Sequence, residues 1–250
     1  MRVSPSRSVL RSFLPALLCL AAQTAVSAAA GSSVVISPVT MNINAQQQSS
    51  AMTTLINQGT TPLEFTATLM RWTQQSGEDI NVPTRDAAVN PAHFTIAPGH
   101  SQVVRIGLRG RASAPQSTYR LLLRQAPQLT KSSAANTNGV QAAINPTYIF
   151  SLPLFVTQPG AQAQVQTSLE RGTSGLTLVL KNTGTAHAAY RSMTASVNGE
   201  AANLGSVYVL AGSTMRVPLP PLPGNMKTVV IHSTDSAQQD HTETLDVPAQ

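Results

Sequence analysis

Beyond residue 30 the chain alternates apolar and polar positions in short runs. VVISPVTMNIN, AMTTLINQG, LEFTATLMRWTQ, FTIAPG, QVVRIGLRG, TYRLLLRQA and TYIFSLPLFV are each rich in β-branched or aromatic residues. Turn residues punctuate them at Asn57-Gln58-Gly59, Ser76-Gly77, Pro98-Gly99 and Pro159-Gly160. No stretch keeps a helical apolar period for three turns between caps. Regularly spaced short strands predict a β-sandwich. A second series follows Pro159-Gly160 and the polar AQAQ: GLTLVLKNTG, AYRSMTASVNGE, SVYVLAGSTMRVPL and KTVVIHST. Both series contain a strand–Asn–turn element, Leu55-Ile56-Asn57-Gln58-Gly59 and Leu180-Lys181-Asn182-Thr183-Gly184. The pattern predicts an all-β chain of two tandem sandwich domains, 31–158 and 159–250.

The segment Gln128 to Gln141 breaks this rhythm. It is rich in Ser, Asn, Thr and Ala, and it predicts a mobile loop. The run that follows, Ile144 to Val156, is among the most apolar in the chain. A period of two places Ile144, Pro146, Tyr148, Phe150, Leu152 and Leu154 on one face. That face is either core of the first domain or a surface kept for a partner. Pro146 removes a ladder donor and suits an edge.

The N-terminus sets the compartment. Arg2, Arg7 and Arg11 precede a short apolar stretch, Phe13 to Ala22, and small-x-small sites end at Ala28 and Ala30. This predicts a secretory signal peptide over 1–30, too short for a spanning helix. Cys19 follows Leu18, where lipid attachment needs a small residue, so no lipoprotein is predicted. Cleavage removes the single cysteine, and the exported chain then relies on its core rather than on a disulfide.

The net charge is +6 and the pI is near 10. Nucleic acid is not the expected partner, because the arginines are scattered through strand patterns instead of clustering with aromatics. The five histidines show no metal-ligand spacing, and no HExxH, G-x-S-x-G, P-loop or G-x-G-x-x-G is present. Asp235, Asp240, His241 and Glu243 predict a solvated tail or loop. The expectation is a non-enzyme with no cofactor, no metal and no small-molecule substrate.

The arginines within apolar strand patterns carry more information. Arg105, Arg120 and Arg124 either lie on solvent faces with their stems over the sheet, or line an anion-binding cleft where a guanidinium grips a carboxylate with two hydrogen bonds. Around them stand Ile36-Ser37-Pro38, Arg71-Trp72-Thr73, Phe94 to Gly99 with Val103-Val104-Arg105, Tyr119 to Arg124, Ser151 to Val156 and Tyr208 to Ser213. In this order and spacing the chain resembles the periplasmic pilus-assembly chaperones, the PapD-like proteins of the chaperone–usher pathway. It is most similar to their archaic branch.

The resemblance implies two immunoglobulin-like β-sandwich domains in tandem. It also implies a periplasmic chaperone that lends a strand to pilus or fimbrial subunits lacking their last strand, then delivers them to an outer-membrane usher. The run after Asn145 matches the donor strand, with Ile144, Tyr148, Phe150 and Leu152 as donor side chains. Family members hold the subunit's C-terminal carboxylate with basic residues. The matching positions here, Thr40 and Pro153 or Leu154, are not basic, so the expected anchor is Arg120, followed by Arg105 and Arg124. Self-association of the free protein through its apolar strand is a further expectation. The competing reading is a pilus subunit or adhesin with immunoglobulin-like domains. Such a protein carries an N-terminal donor segment, whereas this chain passes almost directly from its signal into a first strand.

Overall fold

The computed structural model describes residues 34–127, 147–173, 175–197, 199–221 and 227–249. The expected signal peptide, the loop Gln128 to Gln141 and Ile144 lie outside the described residues. All described residues belong to one compact unit. They form strands and connections with no helix, and they build two β-sandwiches of the immunoglobulin type.

The first sandwich holds ten strands: β1 (Val34–Ser37), β2 (Met41–Asn44), β3 (Ser50–Asn57), β4 (Leu63–Gln75), β5 (Glu78–Pro83), β6 (Ala87–Asn90), β7 (His93–Ile96), β8 (Ser101–Leu108), β9 (Gln116–Gln125) and β10 (Ile149–Thr157). One sheet runs β1-β3-β8-β6. The other runs β2-β10-β9-β4-β5, with β7 also on β4. The run predicted as one strand from Val34 to Asn44 therefore switches sheets midway. Thr53, fully buried, donates its hydroxyl to the Pro38 carbonyl at 2.8 Å and pins the crossing.

Alternation drives this packing. Leu63, Phe65, Ala67 and Leu69 of β4 face inward beside Leu121 and Leu123 of β9. Phe65 stacks on Phe94 with ring centroids 5.8 Å apart. Burying such side chains contributes roughly 1.5–3 kcal/mol each.

The second sandwich holds β11 (Val165–Gly172), β12 (Gly175–Asn182), β13 (Ala188–Val197), β14 (Glu200–Val209), β15 (Thr214–Pro218), β16 (Thr228–Asp235) and β17 (Asp240–Asp246). Its sheets run β11-β12-β15 and β14-β13-β16-β17. Leu178, Leu180, Met193, Val209, Val229 and Ile231 fill its core.

Two sequence expectations change here. Asp235, Asp240, His241 and Glu243 belong to a β-hairpin, not a tail or loop. Asp235 caps its turn, accepting the amides of Ala237 and Gln239 at 2.8 and 2.9 Å. β5, β11 and β17 escaped the strand reading because each has few apolar positions, and β6 because it is only four residues long. Edge strands bury little, so their sequences need not alternate.

The strand–Asn–turn element proves structural in both halves. Asn57 is fully buried and donates to the carbonyls of Thr61 (2.8 Å) and Ile96 (2.9 Å), while its side-chain oxygen accepts the Gly59 amide. Asn182 repeats this with Ala186 (2.7 Å), Val209 (3.0 Å) and the Gly184 amide. A side chain at Gly184 would clash with the Gln162 carbonyl, so the second clip requires glycine for close approach.

Candidate functional site

Three strands position the site: β4, β9 and β10. Their register aligns Arg71, Tyr119 and Leu154 on the inner face, and Met70, Arg120 and Pro153 on the outer face. Trp72 and Phe155 have outward parity, yet their exposures are 0% and 1%. The second sandwich covers them. Trp72, Phe155 and Leu210 form a separate buried cluster with Tyr208 packed against it. Trp72 meets Tyr208 edge-on at 5.4 Å, and Phe155 stacks flat on His187 at 3.4 Å.

Polar contacts align this joint. Gln74 donates to the Tyr208 carbonyl (2.9 Å) and accepts the Leu210 amide (2.8 Å). Gln116 accepts the backbone amide of His187 (2.7 Å) and lies 3.1 Å from its Nδ1, which assigns the ring proton to Nδ1. Burial lowers the His187 pKa to about 4, so the ring is neutral near pH 7. The Trp72 indole N–H is buried without a hydrogen-bond partner among the described residues.

Arg120 lies in this joint. Its guanidinium sits 3.6 Å over the Trp72 ring and 5.4 Å from Tyr208, with Nη2 3.4 Å from Asp79 Oδ2. Only 14% of its side chain is exposed. Burial lowers its pKa, and the Asp79 carboxylate opposes that shift. Arg105 and Arg124 are exposed on the outward faces of β8 and β9. The three arginines therefore do not form one cluster. Thr40 and the buried pair Pro153 and Leu154 leave no cation at the positions where the resemblance implies one.

The expected donor side chains have unequal surroundings. Of the face expected from Ile144 to Leu154, the described Phe150, Leu152 and Leu154 lie on one side of β10, which points into the first sandwich. Leu152 is 6% exposed and belongs to the core. Phe150 is half-buried, 6.3 Å from the Phe65 ring and 5.9 Å from Tyr148. Tyr148 is 40% exposed, and the opposite face carries Ile149 at 56%. β2 pairs only with Leu154 to Thr157, so among the described residues nothing pairs with that edge of β10 from Ile149 to Pro153.

Residues 33–159 match the family described as pili and flagellar-assembly chaperone, PapD N-terminal domain. The chain belongs to this chaperone family. Solved structures similar to it include the CsuC–CsuE chaperone–tip adhesion subunit pre-assembly complex from archaic chaperone-usher Csu pili of Acinetobacter baumannii. That likeness has a TM-score of 0.62 and 20% identity, over 85% of this chain and 98% of that chain. The SafA pilin complex with the SafB chaperone from Salmonella enterica gives 0.60 and 14%, over 88% and 99%. The E. coli chaperone DraB gives 0.57 and 16%, over 88% and 97%. At these identities the likeness concerns the fold. No curated protein matches the chain by sequence.

The sequence reading missed most of the chaperone's joint: Trp72 and Asp79 lie in one hairpin of the first sandwich, and His187 and Tyr208 come from the second. One signal was present. Trp72 is the single tryptophan and falls out of phase with the core positions of its strand.

Proposed function

We propose that this chain is a periplasmic chaperone of the archaic type. It caps pilus or fimbrial subunits by donor-strand complementation through β10 and passes them to an outer-membrane usher. The observation that carries this reading is the unpaired edge of β10 from Ile149 to Pro153 beside exposed Tyr148 and Ile149. Such an edge presents unmet amides and carbonyls to an incoming strand. Family membership supports the chaperone role, and the expected signal peptide supports the periplasm.

Exposure supports a narrower donor set. Tyr148 and Phe150 are the donors within the described run, and Leu152 serves as their platform from inside the core. Arg120 remains the first choice for the subunit's carboxylate. It is partly desolvated, and only Asp79 holds it among the described acids. Arg124 follows, since it pairs in register with Ile149 at the free edge. Arg105, on the other sheet, is last.

The test is pull-down of a client subunit with folding checked by circular dichroism. Tyr148→Asp and Phe150→Asp should fold and lose capture at least tenfold. Leu152→Asp should fail to fold, because an unpaired charge in a dry core costs several kcal/mol. Undiminished capture by both folded variants overturns the donor assignment.

A further inference from the structure

A second cationic feature lies apart from the joint, at one end of the first sandwich. Two loops build it. Thr84-Arg85-Asp86 links β5 to β6, and Arg109-Gly110-Arg111 follows β8. The Arg109 amide donates to the Asp86 carbonyl at 2.8 Å and ties the loops together. Between them opens a cleft of about 380 Å³ that Arg71, Arg85, Arg109 and Arg111 line, with Asp86 as its only acid among the described residues.

That acid is already engaged. Its carboxylate pairs with Arg71 and accepts the Tyr119 hydroxyl at 3.1 Å. Burial alone would raise the Asp86 pKa, but hydrogen bonds with Thr84, Arg71 and Tyr119 outweigh it and hold the group ionised. Among the described residues no acid pairs with Arg85, Arg109 or Arg111. Four arginines thus line one cleft with a single carboxylate among its described lining residues. Like charges on one cleft wall repel, and a bound anion relieves that repulsion.

We infer that this cleft is an oxyanion site for the carboxylate side chains of an acidic peptide segment on a partner. Guanidinium forks match carboxylates in two-bond geometry. Ser113 and Ser117 also line the cleft, and the half-buried Leu108 supplies apolar contact for the methylenes of Asp or Glu. Exposure of Arg85, Arg109 and Arg111 keeps the site open to a peptide chain. The site uses none of the donor residues and not Arg120, so it stands independently of the strand-donation reading.

The test is titration calorimetry on the full exported chain with an Asp/Glu-rich hexapeptide whose C-terminus is amidated. The parent should bind it, with affinity falling steeply as salt rises. Arg109→Glu with Arg111→Glu should weaken binding at least tenfold, whereas Arg191→Glu, an exposed arginine of the second sandwich, should change it less than twofold. Both altered segments are surface loops, and thermal melts confirm folding. Absence of peptide binding, equal binding by all three proteins, or inorganic phosphate binding as tightly as the peptide at equal ionic strength would each overturn the assignment. Client pull-down by the double variant separates this site from donor-strand capture, which should persist.

Discussion

The two sandwiches share a buried asparagine clip but fill their interiors differently. The first packs Phe65, Phe94 and Tyr119 among its buried residues, with Phe150 at its margin. The buried core of the second is wholly aliphatic, apart from Met193, and Tyr190 only packs at its edge. Rings cover more area per side chain, and they bring the first core up to the start of β10, which Tyr148 precedes. The second sandwich turns Tyr208, Leu210 and His187 toward its neighbour instead. The comparison separates a common frame from what is built on it: the clips hold each frame, while ring placement couples one frame to the other and to the free edge.

Phe155→Ala should break that coupling most severely. It removes a ring at 1% exposure from the joint and the partner of the His187 stack. A loss of about 4 kcal/mol is expected. Calorimetry should then resolve two melting transitions where the parent gives one. A single transition at the parent's midpoint would show that the joint does not couple the sandwiches.

Acid should loosen the same joint without mutation. A histidine whose folded pKa is depressed favours the folded state while neutral. The contribution of His187 is intact above pH 6.5 and is lost progressively as pH falls from 6.5 toward 4. The shift from 6.5 to about 4 corresponds to about 3 kcal/mol. His187→Phe keeps a flat ring and does not titrate, so its melting temperature should fall less than the parent's across that window. Parallel curves would remove His187 from the joint's energetics.

The clips should give smaller and nearly equal effects. Asn57→Ala or Asn182→Ala removes the side-chain amide that donates to two carbonyls. A loss of about 2 kcal/mol is expected for each in denaturant unfolding. A large loss in one sandwich and none in the other would show that the likeness is one of shape only.

Much of this frame was legible in the chain. Alternation located the core strands, and the repeated Leu-x-Asn element marked both clips. Parity also grouped Tyr148, Phe150 and Leu152 on one face. What alternation lacks is a sign: it separates two faces without saying which one meets a core. Burial of Leu152 and exposure of Tyr148 on the same face depend on where the opposite sheet ends. Arg120 stood out as a cation in an apolar run, but its Asp79, Trp72 and Tyr208 neighbours come from strands distant in sequence. The arginine cleft was hidden for a related reason, since the Arg109–Asp86 backbone contact brings two loops together. β17 was hidden because an exposed edge imposes no apolar period.

Trp72 has a practical consequence. It is the chain's single tryptophan, and it lies in neither core but at the joint, beneath a guanidinium and edge-on to a tyrosine. Excitation near the red edge of the protein band therefore interrogates one location. A red shift of the emission would register water reaching the contact between sandwiches, even while both β-cores stay intact. The molecule thus carries its own optical gauge of articulation, separate from any measure of secondary structure.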